Sequence, residues 1–368
     1  IKLNNCERQK RWKWERIQAR IFRVSVQGLA LNQWQQAGAL FFNESKNIFI
    51  TFLAASAVIK GDITLGMMMS VQYIIGQLNA PVEQMINFMQ AAQDAKISME
   101  RLGEIHQKED EEPATATKIH HLPENKTIMV QDLSFQYEGP HSEMVLKNIN
   151  LSIPEGKTTA IVGSSGSGKT TLVKLLLGFY EPVTGEIRVG DTLHKNFSSS
   201  FWRSQCGAVM QDGFIFSDTI ARNIALGEEH IDRRQLLYAA KVANIQSFIE
   251  SLPLGYNTKI GQDGNGLSQG QKQRLLIARA IYKNPQYIFF DEATNALDAH
   301  NERVIMHNLE LAFRNKSVVI VAHRLSTVRN ADHIIVLEKG EIVEQGTHTE
   351  LTNQKGVYYR LVREQLEL

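Results

Sequence analysis

The 368-residue sequence predicts an α/β domain that is preceded by an all-α segment. Three observations predict this division. Residues 24–43 and 63–82 carry no charged side chain, which is typical of long, largely apolar helices. From residue 128 onwards, short β-branched runs alternate with helical stretches, which is the pattern of an α/β fold. Within that part, a glycine-rich loop follows one such run and opens a helix.

The overall composition excludes several classes of protein. The 40 Lys and Arg residues nearly balance the 39 Asp and Glu residues, so the net charge of +1 gives no field that would attract nucleic acid. We therefore expect no nucleic-acid partner. The two cysteines, Cys6 and Cys206, are far apart and fit neither a disulfide scaffold nor a structural zinc site. The sequence has no initial Met and no secretion signal, and we expect it to be a piece of a longer protein.

The all-α segment begins with a strongly basic stretch and contains a candidate membrane span. Residues 1–23 carry eight Lys and Arg residues against two Glu residues. The 20 uncharged residues at 63–82 have the length of a spanning helix, although Gln72, Gln77 and Asn79 are polar. Residues 63–82 are thus long enough to cross the bilayer, but their polar side chains need polar neighbours.

We expect two spans, at about 24–60 and 63–88, packed in a larger helical bundle where polar side chains face neighbouring helices. A pair of buried helices in a soluble domain is the alternative. Basic residues concentrate on the cytoplasmic side of membranes, and this bias places residues 1–23 and everything after about residue 88 in the cytoplasm. The lipid bilayer is therefore an expected partner, and we expect a multi-pass protein of the inner or plasma membrane.

A polar segment separates the two parts. Residues 104–126 contain two prolines and a short acidic run, which is the composition of a linker. We expect the acidic run to be a solvated surface rather than a binding site. The chain then divides into residues 1–103, the linker and a domain at residues 127–368.

The glycine-rich loop has the residues of a phosphate-binding site. Residues 159–162 (TAIV) predict a buried strand, and GSSGSGKTT follows at 163–171, which matches GxxxxGK[ST] between a strand and a helix. Glycines let backbone amides turn towards phosphate oxygens, and the helix N-terminus adds positive potential. Lys169 would supply a charge for the β- and γ-phosphates, and the Thr170 hydroxyl would bind Mg²⁺. The predicted nucleotide-binding residues of the loop are Gly163, Ser164, Ser165, Gly166, Ser167, Gly168, Lys169, Thr170 and Thr171.

A second apolar run ends in two carboxylates. Residues 287–290 (YIFF) predict a strand, and Asp291 and Glu292 follow it. Asp291 would hold Mg²⁺, directly or through water, as in other P-loop nucleotide hydrolases. Glu292 is placed to polarise the attacking water as a general base. Alone, this pattern fits a strand that meets a turn equally well, and the phosphate loop is what favours the catalytic interpretation.

Between these elements lies LSQGQKQR, at residues 267–274, followed by a helical run. With this stretch the sequence resembles the ATP-binding cassette (ABC) ATPases, whose signature is LSGGQ. The resemblance covers about residues 127–368 and implies an α/β P-loop ATPase domain, the ABC nucleotide-binding fold, with ATP and Mg²⁺ as cofactors. Gln269 stands where the family usually has its first glycine, but we expect a competent site. The nucleotide-binding residues implied by the signature are Ser268, Gly270 and Gln271.

Other family elements follow in the expected order. Tyr137 matches the aromatic residue that stacks on adenine, and Gln211 matches the residue that meets Mg²⁺ and the attacking water. Residues 295–298 (NALD) match the D-loop, and His323 matches the histidine that contacts the γ-phosphate. Alone, Tyr137 would be a packed strand aromatic and His323 an ordinary core or surface histidine. The implied catalytic residues are Glu292, His323 and Gln211, and the implied metal ligands are Thr170, Gln211 and Asp291.

The resemblance also implies a dimer. In this family the signature faces the phosphate loop of the opposite subunit, and two ATP molecules are sandwiched between the subunits. Because one chain carries all of these motifs, we expect a homodimer with two equivalent sites, and a heterodimer with a degenerate partner is the alternative.

A helical part fused upstream of the ATPase resembles type I exporters, whose transmembrane helices are all α. In that family, residues 1–23 would be a cytoplasmic loop with a coupling helix. Anchoring of Trp12 and Trp14 at the lipid interface is the alternative.

The cargo is predicted from three segments. KRWKWERIQAR at residues 10–20, the stretch at residues 65–84 and the LSQGQ variant together resemble exporters that process and secrete bacteriocin-type peptides. Those exporters carry an N-terminal cysteine peptidase domain that this sequence does not contain. We expect an ATP-driven peptide exporter, and lipid, toxin and drug exporters are alternatives. A soluble ABC mechanical ATPase would lack the uncharged run at 63–82, and a regulatory module without turnover would not need Glu292 and His323.

Overall fold

The computed structural model describes residues 2, 5–106, 108, 110–112, 117–137, 142–261, 266–293, 299–322 and 328–366. The chain divides into two compact units, Ile1–Lys108 and Glu109–Leu368. The first unit consists of long helices, and the strands described in the chain belong to the second unit.

The first unit contains two helices, α1 (Glu7–Lys60) and α2 (Leu65–His106). Gly61 ends α1 with φ +84°, a left-handed conformation that glycine adopts without strain, and its amide donates to carbonyls of the last turn. The Gln72 side chain of α2 donates a hydrogen bond of 2.7 Å to the Thr51 hydroxyl of α1. The two helices therefore meet through polar as well as apolar side chains.

Both helices expose many large apolar side chains. In the described part of α1 only Ala54 is buried, while Trp34 is 78% exposed. Phe88 on α2 is 72% exposed. Among the residues described, no helix combines the length and the apolar character that crossing a membrane requires. From Glu7 onwards, the basic stretch lies on the same continuous helix as the first uncharged stretch.

The second unit contains strands in three sheets and short helices around them. Its strands are β1 (Ile128–Phe135), β2 (Leu146–Ile153), β3 (Thr158–Val162), β4 (Thr184–Val189), β5 (Thr192–Leu193), β6 (Cys206–Val209), β7 (Asp218–Thr219), β8 (Lys259–Ile260), β9 (Tyr287–Asp291), β10 (Ser317–Val321), β11 (His333–Glu338) and β12 (Glu341–Gly346). Its helices are α3 (Lys169–Leu176), α4 (Ser199–Gln205), α5 (Ile220–Ile224), α6 (Arg233–Val242), α7 (Gln246–Glu250), α8 (Gln269–Tyr282), α9 (Ala299–Ala312), α10 (His348–Gln354) and α11 (Val357–Leu366).

The central sheet has six strands in the order β12-β11-β3-β10-β9-β6. β11, β3, β10, β9 and β6 are parallel, and β12 pairs antiparallel at one edge. Both faces of this sheet are buried, because alternate residues of β9 enter different cores. Tyr287 and Phe289 belong to one cluster, and Ile288 and Phe290 belong to the other. This two-sided burial explains the unbroken apolar runs in the sequence, and the predicted α/β fold is confirmed.

Each face of the central sheet has its own covering. A four-stranded antiparallel sheet, in the order β2-β1-β4-β5, shares one core with α3 and Trp202 of α4. The other core includes side chains of α5, α6, α8 and α9. Ligand sites of parallel sheets lie beyond the carboxyl ends of the strands. In this domain β3 ends at the phosphate loop and β9 ends at Asp291. Both strands are parallel to β10, so the two predicted motifs lie together at the carboxyl ends of the strands.

The acidic run of the linker makes specific contacts, and Glu111 is nevertheless exposed. Glu111 forms two hydrogen bonds of 2.6 Å with the Arg203 guanidinium, which lower the pKa of that carboxyl. Glu112 accepts from the Ser198 hydroxyl at 2.9 Å and from the Ser199 amide at the start of α4. The reason is that α4 presents a cation and unpaired N-terminal amides to the carboxylates.

Candidate nucleotide-binding site

The predicted phosphate loop connects the end of β3 to the start of α3. Gly163 has φ +154°, and a Cβ atom there would collide with the Leu337 carbonyl of β11. Gly168 has φ +102°, and a Cβ atom there would lie 2.7 Å from the Leu146 side chain. Residues 164–166, at the tip of the loop, are exposed. The two glycines therefore let the loop pack against β2 and β11 while its tip stays open to a ligand.

The Lys169 ammonium is held inside this loop. Its Nζ donates hydrogen bonds of 2.9 Å to the Gly163 carbonyl and 2.8 Å to the Ser164 carbonyl, and the residue is 6% exposed. Burial lowers the pKa of Lys169, and the nearby charges of Asp291 and Glu292 act in the opposite direction. The loop thus positions a cation among backbone groups, where phosphate oxygens would be bound.

Asp291 ends β9 next to the first turn of α3. The Thr170 hydroxyl donates a hydrogen bond of 3.1 Å to its Oδ1. The residue is 1% exposed, and within the described part of the chain its buried Oδ2 has no hydrogen-bond partner. Burial raises the pKa of Asp291, while the Thr170 hydrogen bond lowers it. A buried carboxylate oxygen without a partner next to a hydroxyl is a suitable oxygen donor set for Mg²⁺.

Glu292 follows Asp291 in an unusual backbone conformation. Its φ is +52°, which is rare for a residue with a side chain. The turn is held at both peptide groups: the Glu292 amide donates to the Val321 carbonyl at 3.1 Å, and its carbonyl accepts from Gln273 Nε2 at 3.3 Å. The backbone of the half-buried Glu292 is therefore fixed at the strand end by β10 and by α8.

One cavity joins the loop, the strand end and Gln211. It has a volume of about 440 Å³, and Thr170, Asp291 and Gln211 line it. The exposed Gln211 follows β6 by two residues and is brought to the cavity by the parallel pairing of β6 with β9. The structure thus brings together all three of the predicted metal ligands.

Tyr137 lies beside the phosphate loop. Its hydroxyl forms a hydrogen bond of 2.9 Å with the Thr171 hydroxyl, and its ring is 36% exposed. The ring makes edge-to-face contacts with Phe135 at 5.0 Å and with Tyr180 at 5.3 Å between centroids. The proposed adenine-stacking residue therefore contacts the loop that would hold the phosphates.

The signature residues form the start of α8. Ser268 caps the helix: its hydroxyl accepts from the Gln271 amide at 3.2 Å, and Gln271 Oε1 accepts from the Ser268 amide at 2.8 Å. The Gly270 carbonyl accepts from Arg274 Nε at 3.4 Å. The hydrogen bonds described for these three residues stay at the first turns of α8, and none joins them to the phosphate loop. The substitution at Gln269 leaves this cap intact.

His323 and residues 295–298 lie outside the described residues, so their predicted roles stay predictions. The sequence analysis also missed other residues of the site, three of which are Tyr180, Lys174 and Gln273. Tyr180 and Lys174 line the cavity, and Gln273 contacts the Glu292 carbonyl. The only sequence signal is position: Lys174 lies one turn after Thr170, Tyr180 follows α3, and Gln273 lies in the signature helix.

Comparison with known proteins finds similarity to ABC transporters. Residues 146–295 match the family model described as ABC transporter. The chain is 40% identical, over 347 residues, to a leukotoxin export ATP-binding protein of Aggregatibacter actinomycetemcomitans, with 94% of this chain and 48% of the relative covered. A leukotoxin translocation ATP-binding protein of Mannheimia haemolytica has the same identity and coverage. The chain therefore spans about half the length of these curated relatives.

A solved structure is also similar. It is described as a bacterial Atm1-family ABC exporter with ATP bound. The match has a TM-score of 0.80 and 30% sequence identity, and it covers 99% of this chain and 64% of the other.

Proposed function

We propose that this chain hydrolyses ATP to drive export across a membrane, because residues 146–295 match the family model described as ABC transporter. One observation carries the proposal. The 3.1 Å hydrogen bond from the Thr170 hydroxyl to Asp291 joins the phosphate loop to the end of β9, with Lys169 held within the same loop. A cation, a hydroxyl and a buried carboxylate in this arrangement suit a nucleoside triphosphate better than any other ligand class.

The described residues account for each part of ATP. The face of Tyr137 would stack on the adenine ring, and the loop amides with the Lys169 ammonium would bind the β- and γ-phosphates. Thr170 and Asp291, with Gln211, would hold Mg²⁺, which when bound neutralises charge on these phosphates. The unpartnered Oδ2 of Asp291 is the observation that supports this donor set.

Hydrolysis would proceed by attack of water on the γ-phosphorus. The Glu292 carboxylate would accept a proton from that water as its oxygen bonds to phosphorus, and the bond to the bridging β–γ oxygen breaks, releasing ADP and phosphate. His323 would contact the γ-phosphate. The fixed backbone at Glu292 supports this role, because it holds the residue at the end of β9, next to Asp291.

We propose that two cassettes form a homodimer that closes over two ATP molecules. Ser268, Gly270 and Gln271 would contact the nucleotide bound to the phosphate loop of the partner, with the N-terminus of α8 directed at the γ-phosphate. Their hydrogen bonds at the start of α8 agree with this arrangement, since the exposed Ser268 side chain is available to a second chain.

Residues 1–103 are proposed to be the C-terminal part of a multi-pass membrane domain, with a coupling helix in about 1–23, spans at about 24–60 and 63–88, and a linker at 104–126. The large exposed apolar side chains of α1 and α2 support this proposal. Further support is that the similarity to a solved ABC exporter covers 99% of the chain. Residues 127–368 would then lie in the cytoplasm, and polar residues of the spans would face other helices.

The proposed cargo is a polypeptide of the bacteriocin type. The resemblance of residues 10–20 and 65–84 to peptide exporters supports it. Toxin export is the second candidate, because two relatives at 40% identity are leukotoxin exporters.

The test uses the natural full-length gene product in inverted membrane vesicles. We expect ATP-dependent uptake of a labelled bacteriocin-type precursor, together with phosphate release, and neither with Glu292→Gln. Phosphate release without uptake of the precursor, but with uptake of a labelled toxin, would favour the second candidate. Absence of ATP-dependent phosphate release from intact protein would overturn the proposed function.

Asp291→Asn is expected to stabilise the nucleotide-free protein and to abolish its stabilisation by Mg²⁺-ATP. The buried carboxylate costs stability, and we expect the amide to raise the free energy of unfolding by about 1 kcal/mol. Because burial raises the pKa of Asp291, the cost is present at neutral pH and decreases as the pH falls through the raised pKa. Thermal unfolding at about pH 7.5 and about pH 5 measures this difference.

The matched control is Asp191→Asn, at an exposed aspartate, which should change neither the unfolding temperature nor the effect of Mg²⁺-ATP. A lower unfolding temperature for nucleotide-free Asp291→Asn would show that the carboxylate stabilises the fold instead of being reserved for a ligand.

A further inference from the structure

Three aromatic rings meet beside the phosphate loop. Tyr137 contacts Phe135 and Tyr180 edge to face, and Phe135 contacts Tyr180 at 5.4 Å between centroids. Phe135 is 4% exposed and belongs to the core, whereas Tyr137 is 36% and Tyr180 is 41% exposed. Two rings of the cluster are thus open to a ligand, and the third fixes them to the domain.

Tyr180 belongs to the wall of the nucleotide cavity. It follows α3 in the sequence, and it lines the same cavity of about 440 Å³ as Thr170, Gln211 and Asp291. Its ring meets that of Tyr137 at an interplanar angle of 89°. The Tyr180 ring therefore contacts the proposed adenine-stacking residue and also lines the cavity of the proposed metal ligands.

The contacts of Tyr137 restrain different motions of its ring. The hydrogen bond to Thr171 fixes the position of the hydroxyl at 2.9 Å. The hydroxyl lies on the axis that runs through the ring from Cβ to the oxygen. A hydrogen bond at the hydroxyl therefore does not restrain rotation of the ring about that axis. Such a terminal torsion has broad minima and needs neighbouring groups to define it. The edge-to-face neighbours Phe135 and Tyr180 both supply this restraint, because rotation would destroy the perpendicular geometry.

We infer that Tyr180 is a positioning residue for base binding, which together with Phe135 sets the rotation of the Tyr137 ring so that its face can stack on adenine. The inference rests on the proposed role of Tyr137 in binding ATP. Tyr180 acts on the base through Tyr137, and it has no part in holding the phosphates. Its contribution should therefore appear only for ligands that carry a base.

The test compares ATP with inorganic triphosphate, which lacks the base, by calorimetric titration of the natural full-length protein. Tyr180→Ala is expected to weaken ATP binding about threefold to tenfold, the range for loss of one edge-to-face aromatic pair. Its affinity for inorganic triphosphate should equal that of the unaltered protein. Tyr180→Phe keeps the ring and should retain full affinity for ATP. In a Tyr137→Ala background, Tyr180→Ala should have no further effect.

The outcomes separate this inference from the proposed function. Unchanged ATP affinity in Tyr137→Ala would overturn the stacking role and the inference together. Weaker ATP binding in Tyr137→Ala with no change in Tyr180→Ala would overturn the inference alone. Equal losses for ATP and inorganic triphosphate in Tyr180→Ala would also overturn it, since they would indicate distortion of the phosphate loop. Additive losses in the double variant would mean that Tyr180 does not act through Tyr137.

Discussion

Glu292→Gln should lower the steady-state rate of ATP hydrolysis by about two to four orders of magnitude, the usual contribution of a general base. Glutamine keeps the size of the side chain, but its amide cannot accept the proton of the attacking water. The backbone at φ +52° and its hydrogen bonds to Val321 and Gln273 do not depend on the carboxyl group. ATP binding and ATP-dependent dimerisation should therefore remain, and phosphate release and size-exclusion chromatography measure the two effects.

The matched control is Glu341→Gln, at an exposed position of β12. It is expected to hydrolyse ATP at the rate of the unaltered protein. Normal hydrolysis by Glu292→Gln would refute the role of Glu292 as the base. Loss of ATP binding along with turnover would show that this carboxyl group maintains the site instead of activating water.

Lys169→Ala should weaken ATP binding about tenfold to a hundredfold, the range for loss of a hydrogen bond to a charged group. The ammonium is buried in the loop and is the group placed to meet the β- and γ-phosphates. The substitution also removes two hydrogen bonds to loop carbonyls, so the loop itself becomes less ordered. The full-length protein is titrated with ATP in Mg²⁺-free buffer. Hydrolysis does not occur in that buffer, so the titration measures binding alone.

The matched control is Lys241→Ala, at an exposed position of α6 that does not line the cavity. It removes one Lys charge, as Lys169→Ala does, and should leave ATP affinity unchanged. If Lys169→Ala binds ATP as tightly as the unaltered protein, the phosphate-loop assignment is wrong.

The arrangement of the central motifs could be predicted from the sequence. GxxxxGK[ST] dictates a strand, a loop and a helix, and the apolar run before Asp291 requires a strand buried on both faces. Parallel strands of one sheet place such ends at one edge, and the Thr170–Asp291 hydrogen bond lies there. The local sequence pattern and the order of the motifs were sufficient to predict this arrangement, because the backbone geometry of the parallel sheet determines where the strands end.

Contacts between residues that are far apart in the sequence could not be predicted. Nothing in the spacing of Tyr180 points to Tyr137, which follows β1, and Gln273 reaches Glu292 only because α8 and β9 share one core. The contacts of the linker glutamates with Arg203 and with the start of α4 could not be predicted either. These interactions depend on how elements pack, and short-range composition holds no information about that packing.

The serine cap of α8 has a kinetic consequence. Ser268 and Gln271 exchange hydrogen bonds within one chain, so the orientation of the signature serine is set when that chain folds. The loss of side-chain freedom that usually accompanies association has then already occurred. In the proposed homodimer, closing the two cassettes would resemble the docking of rigid surfaces. The dwell time of the closed state would then depend on nucleotide contacts more than on rearrangement of the signature.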